Sequence, residues 1–128
     1  MPGKGIRIPR EAWLKSRPVR ITDDYELDEE GNAVILVEIE YKGLKGKILK
    51  ALSLTPLPKY KRIVLDRMGT EVWKLCDGKH TVEDIVRHMM KKTGMSRRNM
   101  EIAVYTYLRM LVEKGLVEVI IPEGEEQD

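Results

Sequence analysis

Few residues in this chain have both the chemical type and the spacing that catalysis requires. The two histidines, His80 and His88, are eight residues apart, which is not the i, i+4 spacing of a metal-binding pair on one helix. The single cysteine, Cys76, excludes an intrachain disulfide and any site built from several cysteine ligands. The serines have no base near them in sequence, and no glycine-rich phosphate loop precedes a predicted helix. We therefore expect a protein that is not an enzyme and needs no metal or cofactor.

Composition limits the remaining classes of function. The chain has 128 residues, enough for one domain, and its net charge of +2 is too small to indicate nucleic-acid binding. It contains no run of about 18 apolar residues and begins without a secretory signal, so we expect a cytoplasmic protein that does not enter a membrane. Two asparagines and one glutamine, against 13 lysines and 14 glutamates, resemble the composition of thermophile proteins.

Charge is segregated along the chain. Residues 1–20 carry six bases and one acid, residues 22–40 carry eight acids and no base, and residues 42–62 carry seven bases and no acid. One interpretation is that opposite blocks lie on neighbouring strands and offset each other. The other is that the basic block 42–62 forms a docking edge for an acidic partner. The sequence leaves both open.

The first half of the chain predicts a small sheet. Residues 33–41 are predicted to form a strand in which Ile35, Val37, Ile39 and Tyr41 share one face, while Glu38 and Glu40 lie on the other. Glycines at 43 and 46 indicate a turn into a second strand over 48–54, and a third short strand follows over 60–65. Three strands joined by short links favour an antiparallel meander.

The second half predicts three helices and one strand. A helix over 67–76 ends before Gly78, and a second begins at Thr81 with the acid of a capping box at Asp84. Ser96 caps a third helix, and residues 116–121 form the last strand. The fold class is thus α+β: an N-terminal three-stranded antiparallel sheet, then a three-helix winged-helix-like unit with a C-terminal strand.

The domain organisation follows from these elements. Three prolines and two glycines within residues 1–20 predict a basic arm, 1–22, without regular structure of its own. Residues 23–122 form a single predicted domain, and 123–128 form an acidic tail.

The helical half carries a recognisable pattern. A strand ends in Leu-Asp, a glycine follows, and then come Val-Trp, an Asp-Gly stop, a helix opening Thr-Val-x-x-Ile and a Leu-x-x-Leu…Gly-Leu exit. This pattern, over about residues 60–121, resembles the PqqD family, named for a small protein of pyrroloquinoline quinone biosynthesis. The residues that fit are Leu65, Asp66, Gly69, Val72, Trp73, Asp77, Gly78, Thr81, Val82, Ile85, Leu108, Leu111, Gly115 and Leu116. Trp73 lies one position off the core stripe of its helix, and we expect it in the core rather than against a ligand.

The resemblance implies a non-catalytic peptide-binding adaptor. Such a module holds the leader of a ribosomally made precursor peptide and presents it to a modifying enzyme, often a radical S-adenosylmethionine enzyme. The leader is expected to add as a strand to the third strand and to lie against the third helix. The third helix has a matching mixed stripe of apolar and guanidinium side chains. The candidate peptide-binding residues are Tyr60, Arg62, Val64, Arg98, Ile102, Tyr105 and Arg109.

Two other functions stay open. In a winged-helix DNA-binding regulator, the Arg97-Arg98-Asn99 start of the third helix would reach base edges. The last strand argues against this, because no lysine or arginine follows Leu116. A structural subunit that pairs sheet edges with itself is the third possibility, so monomer and homodimer both remain possible. Ile102 and Tyr105 have an alternative role as well, in packing against the sheet or the N-terminal arm.

Overall fold

A computed structural model describes residues 8–41, 43–53 and 57–123. These residues form two compact units: the described residues of 1–23 and 67–128 make the helical unit, and those of 24–66 make the sheet unit. In chain order the helices and strands are α1 (Arg10–Lys15), β1 (Arg17–Arg20), β2 (Tyr25–Leu27), β3 (Ala33–Glu38), α2 (Gly43–Leu52), β4 (Tyr60–Val64), α3 (Arg67–Lys74), α4 (Val82–Thr93), α5 (Arg97–Glu113) and β5 (Val117–Ile120).

The boundaries of α4 and α5 are set by local capping, as the sequence predicts. The Thr81 hydroxyl accepts from the Asp84 backbone N–H at 3.1 Å, and the Asp84 carboxylate accepts from the Thr81 N–H at 3.0 Å. The Ser96 hydroxyl accepts from the backbone N–H of Asn99 in the same way. At the far end of α4, Gly94 adopts φ 76°, the left-handed conformation that ends a helix. Each cap contributes about 1 kcal/mol.

The core of the helical unit lies among α3, α4 and α5. The predicted apolar stripes supply it, with one addition: the indole of Trp73 on α3 is completely buried, so the expectation that Trp73 is a core residue is confirmed. The largest buried side chains of this unit are Trp73, Ile85, Met89, Met100, Leu108 and Leu111. Their burial is the main apolar contribution to the stability of this unit.

The N-terminal segment departs from its prediction. Instead of an arm without regular structure, residues 10–20 form α1 and β1, and β1 pairs antiparallel with β5 from Arg17↔Ile120 to Arg20↔Val117. The Val82 N–H at the start of α4 donates to the Ser16 carbonyl at 2.9 Å. The prediction failed because the partner strand lies about 100 residues away in sequence, which no local pattern can show.

The sheet unit contains a three-stranded antiparallel sheet, but its strands are not the predicted set. The order is β2-β3-β4, so β3 is central, with Tyr25↔Ile35 on one side and Ile35↔Ile63 on the other. The turn between β2 and β3 is held by the Asp28 carboxylate, which accepts two backbone N–H groups at 2.9 Å. The strands over 33–41 and 60–65 are confirmed in shortened form, and β2 was missed.

The strand predicted over 48–54 is wrong, because residues 48–52 belong to helix α2; residue 54 lies outside the described residues. Its residues are mostly lysine, leucine and alanine, which favour helix, and Ile48 is its only β-branched residue. Gly46 lies within the helix, whereas Gly43 at its start has φ 73°, the left-handed conformation of a turn glycine. A Cβ at Gly46 would lie 2.6 Å from the Tyr41 carbonyl carbon, so glycine allows the helix to approach that backbone.

The observed fold is therefore mixed α and β, with antiparallel sheets and five helices in the described residues. The winged-helix-like arrangement of α3, α4 and α5 and the domain division at residues 22 and 122 stay predictions. Most of the predicted acidic tail, 124–128, lies outside the described residues. Where the structure describes the chain, its helices are too short or too polar to span a membrane.

The link between α3 and α4 is organised by the carboxylate of Asp77. One of its oxygens accepts from the backbone N–H of Lys79 at 2.8 Å and of His80 at 3.0 Å, and the other lies 2.8 Å from His80 Nδ1. Burial opposes ionisation of this carboxyl, but the backbone donors and the His80 ring outweigh it. The pKa of Asp77 falls from 3.8 to about 2.

We expect this carboxylate to make stability pH-dependent in acid. A pKa lower in the folded chain means that the stabilisation is present above pH 4 and is lost as the pH falls toward 2; it is about 1–2 kcal/mol. In Asp77→Asn the side-chain oxygen still accepts from both backbone donors, but the group no longer titrates. In urea denaturation between pH 4 and 2, the free energy of unfolding of this variant should therefore fall less steeply than that of the unmodified chain. Asp77→Ala should also lose stability at pH 7, and an unchanged acid slope in both variants would contradict this role.

Candidate functional site

Strand β4 has an outer edge that is free of strand pairing among the described residues, since it lies at the end of the order β2-β3-β4. Two hydrogen bonds show which backbone groups face β3: the Leu65 N–H donates to the Ala33 carbonyl at 2.9 Å, and the Ile39 N–H donates to the Lys59 carbonyl at 2.8 Å. Backbone groups alternate in an antiparallel ladder. The N–H and C=O groups of residues 60, 62 and 64 therefore point to the outer edge, while those of 61 and 63 bond to β3.

The three residues that face outward are the three predicted on this strand. Tyr60 and Val64 keep 54% and 59% of their surface exposed, and Arg62 is exposed as well. Their side chains share one face of the sheet, opposite Glu38, Leu36 and Val34 of β3 in the order Tyr60, Arg62, Val64. Both the backbone edge and this row of side chains are thus exposed to solvent.

The two edges of the sheet differ in charge. Strand β4 and the residue before it carry Lys59, Lys61 and Arg62 with no acid. The opposite edge strand, β2, has only three residues, contains Glu26 and lies in the acidic block 22–40. A positively charged edge favours an acidic strand as its partner.

The four residues predicted on α5 belong to the helical unit and differ in exposure. Arg98 is exposed, and Ile102 keeps 57% of its surface exposed. The Tyr105 ring is half-buried in an edge-to-face contact with Trp13, with centroids 5.7 Å apart, so the alternative role of packing against the N-terminal segment is realised for this residue. Arg109 Nε lies 3.3 Å from a Glu113 oxygen, an exposed pair.

Arg97, on which the DNA-binding alternative relied, is engaged in ion pairs. Its guanidinium contacts Glu83 and lies 2.8 Å from Glu101, which in turn pairs with Arg10 at 2.7 Å. The hydrogen bonds from Arg97 lower the pKa of Glu83, and those from Arg10 lower the pKa of Glu101. This network ties α1, α4 and α5 together, and neither the structure nor the comparisons below support DNA binding.

A cavity of about 550 Å³ in the sheet unit was not anticipated from the sequence. It lies where β3 ends, α2 ends and β4 begins. Its lining consists of Glu38, Ile39, Tyr41, Lys50, Ser53, Leu57, Lys59 and Tyr60. The cavity was not predicted because residues 48–54 were assigned to a strand instead of to α2. The helix-forming composition of this segment was the signal that could have revealed it.

Metal-ligating side chains are not clustered in the part of the chain that the structure describes. No group of three or more His, Cys, Asp and Glu side chains there could hold a metal ion. Cys76 is fully buried, and burial raises the pKa of its thiol to about 12. A thiol in that state is a poor nucleophile.

The family comparison agrees with the pattern in the sequence. The model of the family described as Coenzyme PQQ synthesis protein D (PqqD) matches residues 57–117, which hold β4, α3, α4, α5 and the first residue of β5. No curated protein and no solved structure matches the chain. The matched segment is 61 of the 128 residues, so the comparison shows a resemblance to this family over that segment.

Proposed function

We propose, from the resemblance of residues 57–117 to the PqqD family, that the chain is a non-catalytic adaptor that holds a ribosomal precursor peptide and presents it to a modifying enzyme. The leader segment of that peptide adds as a further strand to β4. The modifying enzyme then acts on the remainder of the peptide, and a radical S-adenosylmethionine enzyme is the expected class.

The observation that carries this proposal is the outward direction of the backbone groups at Tyr60, Arg62 and Val64. Three residues offer three donors and three acceptors, each contributing about 0.5–1.5 kcal/mol when paired. Main-chain pairing of this kind provides affinity with little sequence dependence, while side-chain contacts provide specificity. The exposed row on the same strand provides such contacts.

The α5 residues remain in the proposal as a separate set. Arg98 and Ile102 present a guanidinium beside an exposed apolar side chain, which is suitable for an acidic, amphipathic peptide. Arg109 is proposed with them, and Tyr105 contributes the part of its ring that Trp13 leaves uncovered. Amide chemical shifts measured during a peptide titration report on 60–65 and on 97–110 independently.

Strand addition is tested by comparing Arg62→Pro with Arg62→Gln. Proline removes the outward N–H at residue 62 and obstructs the edge, but it takes no hydrogen bond from the β3–β4 ladder. Glutamine removes the same charge and keeps the N–H. With peptides selected from a displayed random library on the unmodified protein, we expect Arg62→Pro to weaken binding at least tenfold and Arg62→Gln to weaken it much less.

A second measurement separates edge pairing from misfolding of the proline variant. Methylation of alternate backbone nitrogens in the selected peptide removes donors without changing the protein. Methylation of one alternate set of nitrogens should abolish binding, and methylation of the other set should be tolerated, because an edge strand pairs through every second residue. If both methylated peptides bind as well as the parent, or Arg62→Pro binds normally, the strand-addition proposal is wrong.

Self-pairing through the same edge is the competing explanation for a free β4. Light scattering over a range of concentrations detects such self-pairing. A dimer that dissociates when the selected peptide is added is formed through the same β4 edge that the peptide binds. A dimer that Arg62→Pro disrupts while peptide binding is absent would favour the structural subunit instead.

A further inference from the structure

The cavity of the sheet unit has the size and the mixed lining of a ligand site. Its volume of about 550 Å³ falls in the range of pockets that bind small molecules or a few peptide residues. Ile39, Leu57 and Tyr41 provide half-buried apolar surface, and Ser53 adds a half-buried hydroxyl. The cavity lies largely outside the PqqD match, which begins at residue 57.

One charged group of the cavity, Lys50, lies against its aromatic wall. The Tyr41 hydroxyl donates to the Pro58 carbonyl at 2.7 Å, which fixes the ring. Lys50 Nζ lies 5.7 Å from the centre of that ring, within reach of a cation–π interaction. With Lys59, the lining has two ammonium groups against one carboxylate, that of Glu38. A carboxylate ligand is therefore favoured over a cation.

The cavity is also continuous with the proposed peptide edge. Lys59 and Tyr60 line it, and Tyr60 is the first residue of β4. A strand advances about 3.3 Å per residue, so the two or three residues of a bound peptide that continue past Tyr60 extend roughly 7–10 Å into the cavity region.

We infer that the cavity binds an acidic residue of the peptide, located within three residues of the segment that pairs with β4. Its carboxylate contacts Lys50 and Lys59, and its neighbours pack on Tyr41 and Leu57. This inference rests on the proposed strand addition and deepens it. It names the class of peptide, one with an acid at a fixed distance from the paired segment.

The test uses a random dodecapeptide library displayed on phage, selected on the full chain and on two charge-reversed variants. Lys50→Glu with Lys59→Glu alters the cavity. Lys45→Glu with Lys47→Glu makes the same change of charge on exposed positions of α2 that do not line it. Circular dichroism verifies that each variant is folded, and affinities of individual peptides are then measured by fluorescence anisotropy.

We expect peptides selected on the unmodified chain to share an acid at one distance from the paired segment. Their affinity should fall at least tenfold in the cavity variant and less than threefold in the control variant. Replacing the peptide acid by glutamine should cost as much on the unmodified chain. On the cavity variant the same replacement should raise the affinity, because the acid there faces the introduced carboxylates.

Two results would overturn the inference while leaving strand addition intact. The first is selected peptides that need the β4 edge, as Arg62→Pro shows, but have no positional acid. The second is an equal loss in both charge-reversed variants, which would indicate general attraction to a basic surface. Failure of strand addition would be recognised differently: either no peptide is selected, or Arg62→Pro leaves the binding of the selected peptides unchanged. In that case the inference about the cavity would be wrong as well.

Discussion

Deletion of residues 1–20 is expected to abolish the cooperative unfolding transition of the helical unit. In the described residues β5 pairs with β1 alone, and a single strand without a partner is not stable in water. The deletion also uncovers the site that Ala12 fills, since this side chain is completely buried. Arg20 would be lost as well, and its guanidinium donates to the Trp73 carbonyl at 3.0 Å and the Lys74 carbonyl at 2.9 Å, at the end of α3.

Thermal melts followed by circular dichroism measure this effect directly. The deleted chain should melt broadly or lack tertiary structure, and a synthetic peptide of residues 8–22 added in excess should restore a sharp transition. Arg17→Ala is the matched control, because this β1 side chain is exposed and its removal should change stability by no more than about 0.5 kcal/mol. A deleted chain with an unchanged melt would show that the segment is an appendage, as the sequence had suggested.

Local signals made the helical half predictable. The capping box at Thr81 and Asp84 and the left-handed Gly94 act within one turn of the residues that display them. The stripe on α4 from Val82 to Met89 has the period of a helix and is buried as predicted. Such features need no knowledge of the rest of the chain.

Long-range pairing was not predictable in the same way. The N-terminal prolines and glycines indicated an irregular arm, yet Pro18 is buried within β1 because β5 pairs with that strand. The glycines of α2 indicated a turn, whereas Gly46 lies within the helix at the point where the Tyr41 backbone approaches it closely. In both cases a tertiary contact determines the role of a residue type that usually interrupts secondary structure.

The candidate site, too, could be predicted only in part from the local sequence. The period of two along a strand places Tyr60, Arg62 and Val64 on one face, so the sequence could group them. Which edge their backbone groups face depends on the register of β4 against β3, and only the structure provides it. The cavity combines residues from β3, α2 and β4 and could not be assembled from a pattern in any one segment.

Trp73→Ala should destabilise the helical unit by about 3–5 kcal/mol, the cost of removing a large aromatic side chain from a packed core. The indole is fully buried, and the Arg20 guanidinium lies 5.8 Å from the centre of its ring. Ile102→Ala on α5 is the control, since that side chain is 57% exposed and should cost less than about 0.5 kcal/mol. Urea denaturation followed by far-ultraviolet circular dichroism measures both variants.

Peptide binding by a conservative variant decides whether Trp73 has any role besides packing. Trp73→Phe retains most of the buried aromatic surface, so it should lose less stability than the alanine variant and remain folded at 25 °C. Because the indole has no exposed surface, we expect this variant to bind a selected peptide with the affinity of the unmodified chain. If Trp73→Phe stayed stable and yet lost binding, the motif tryptophan would have to contact the peptide, which requires α3 to move before the peptide can reach the ring.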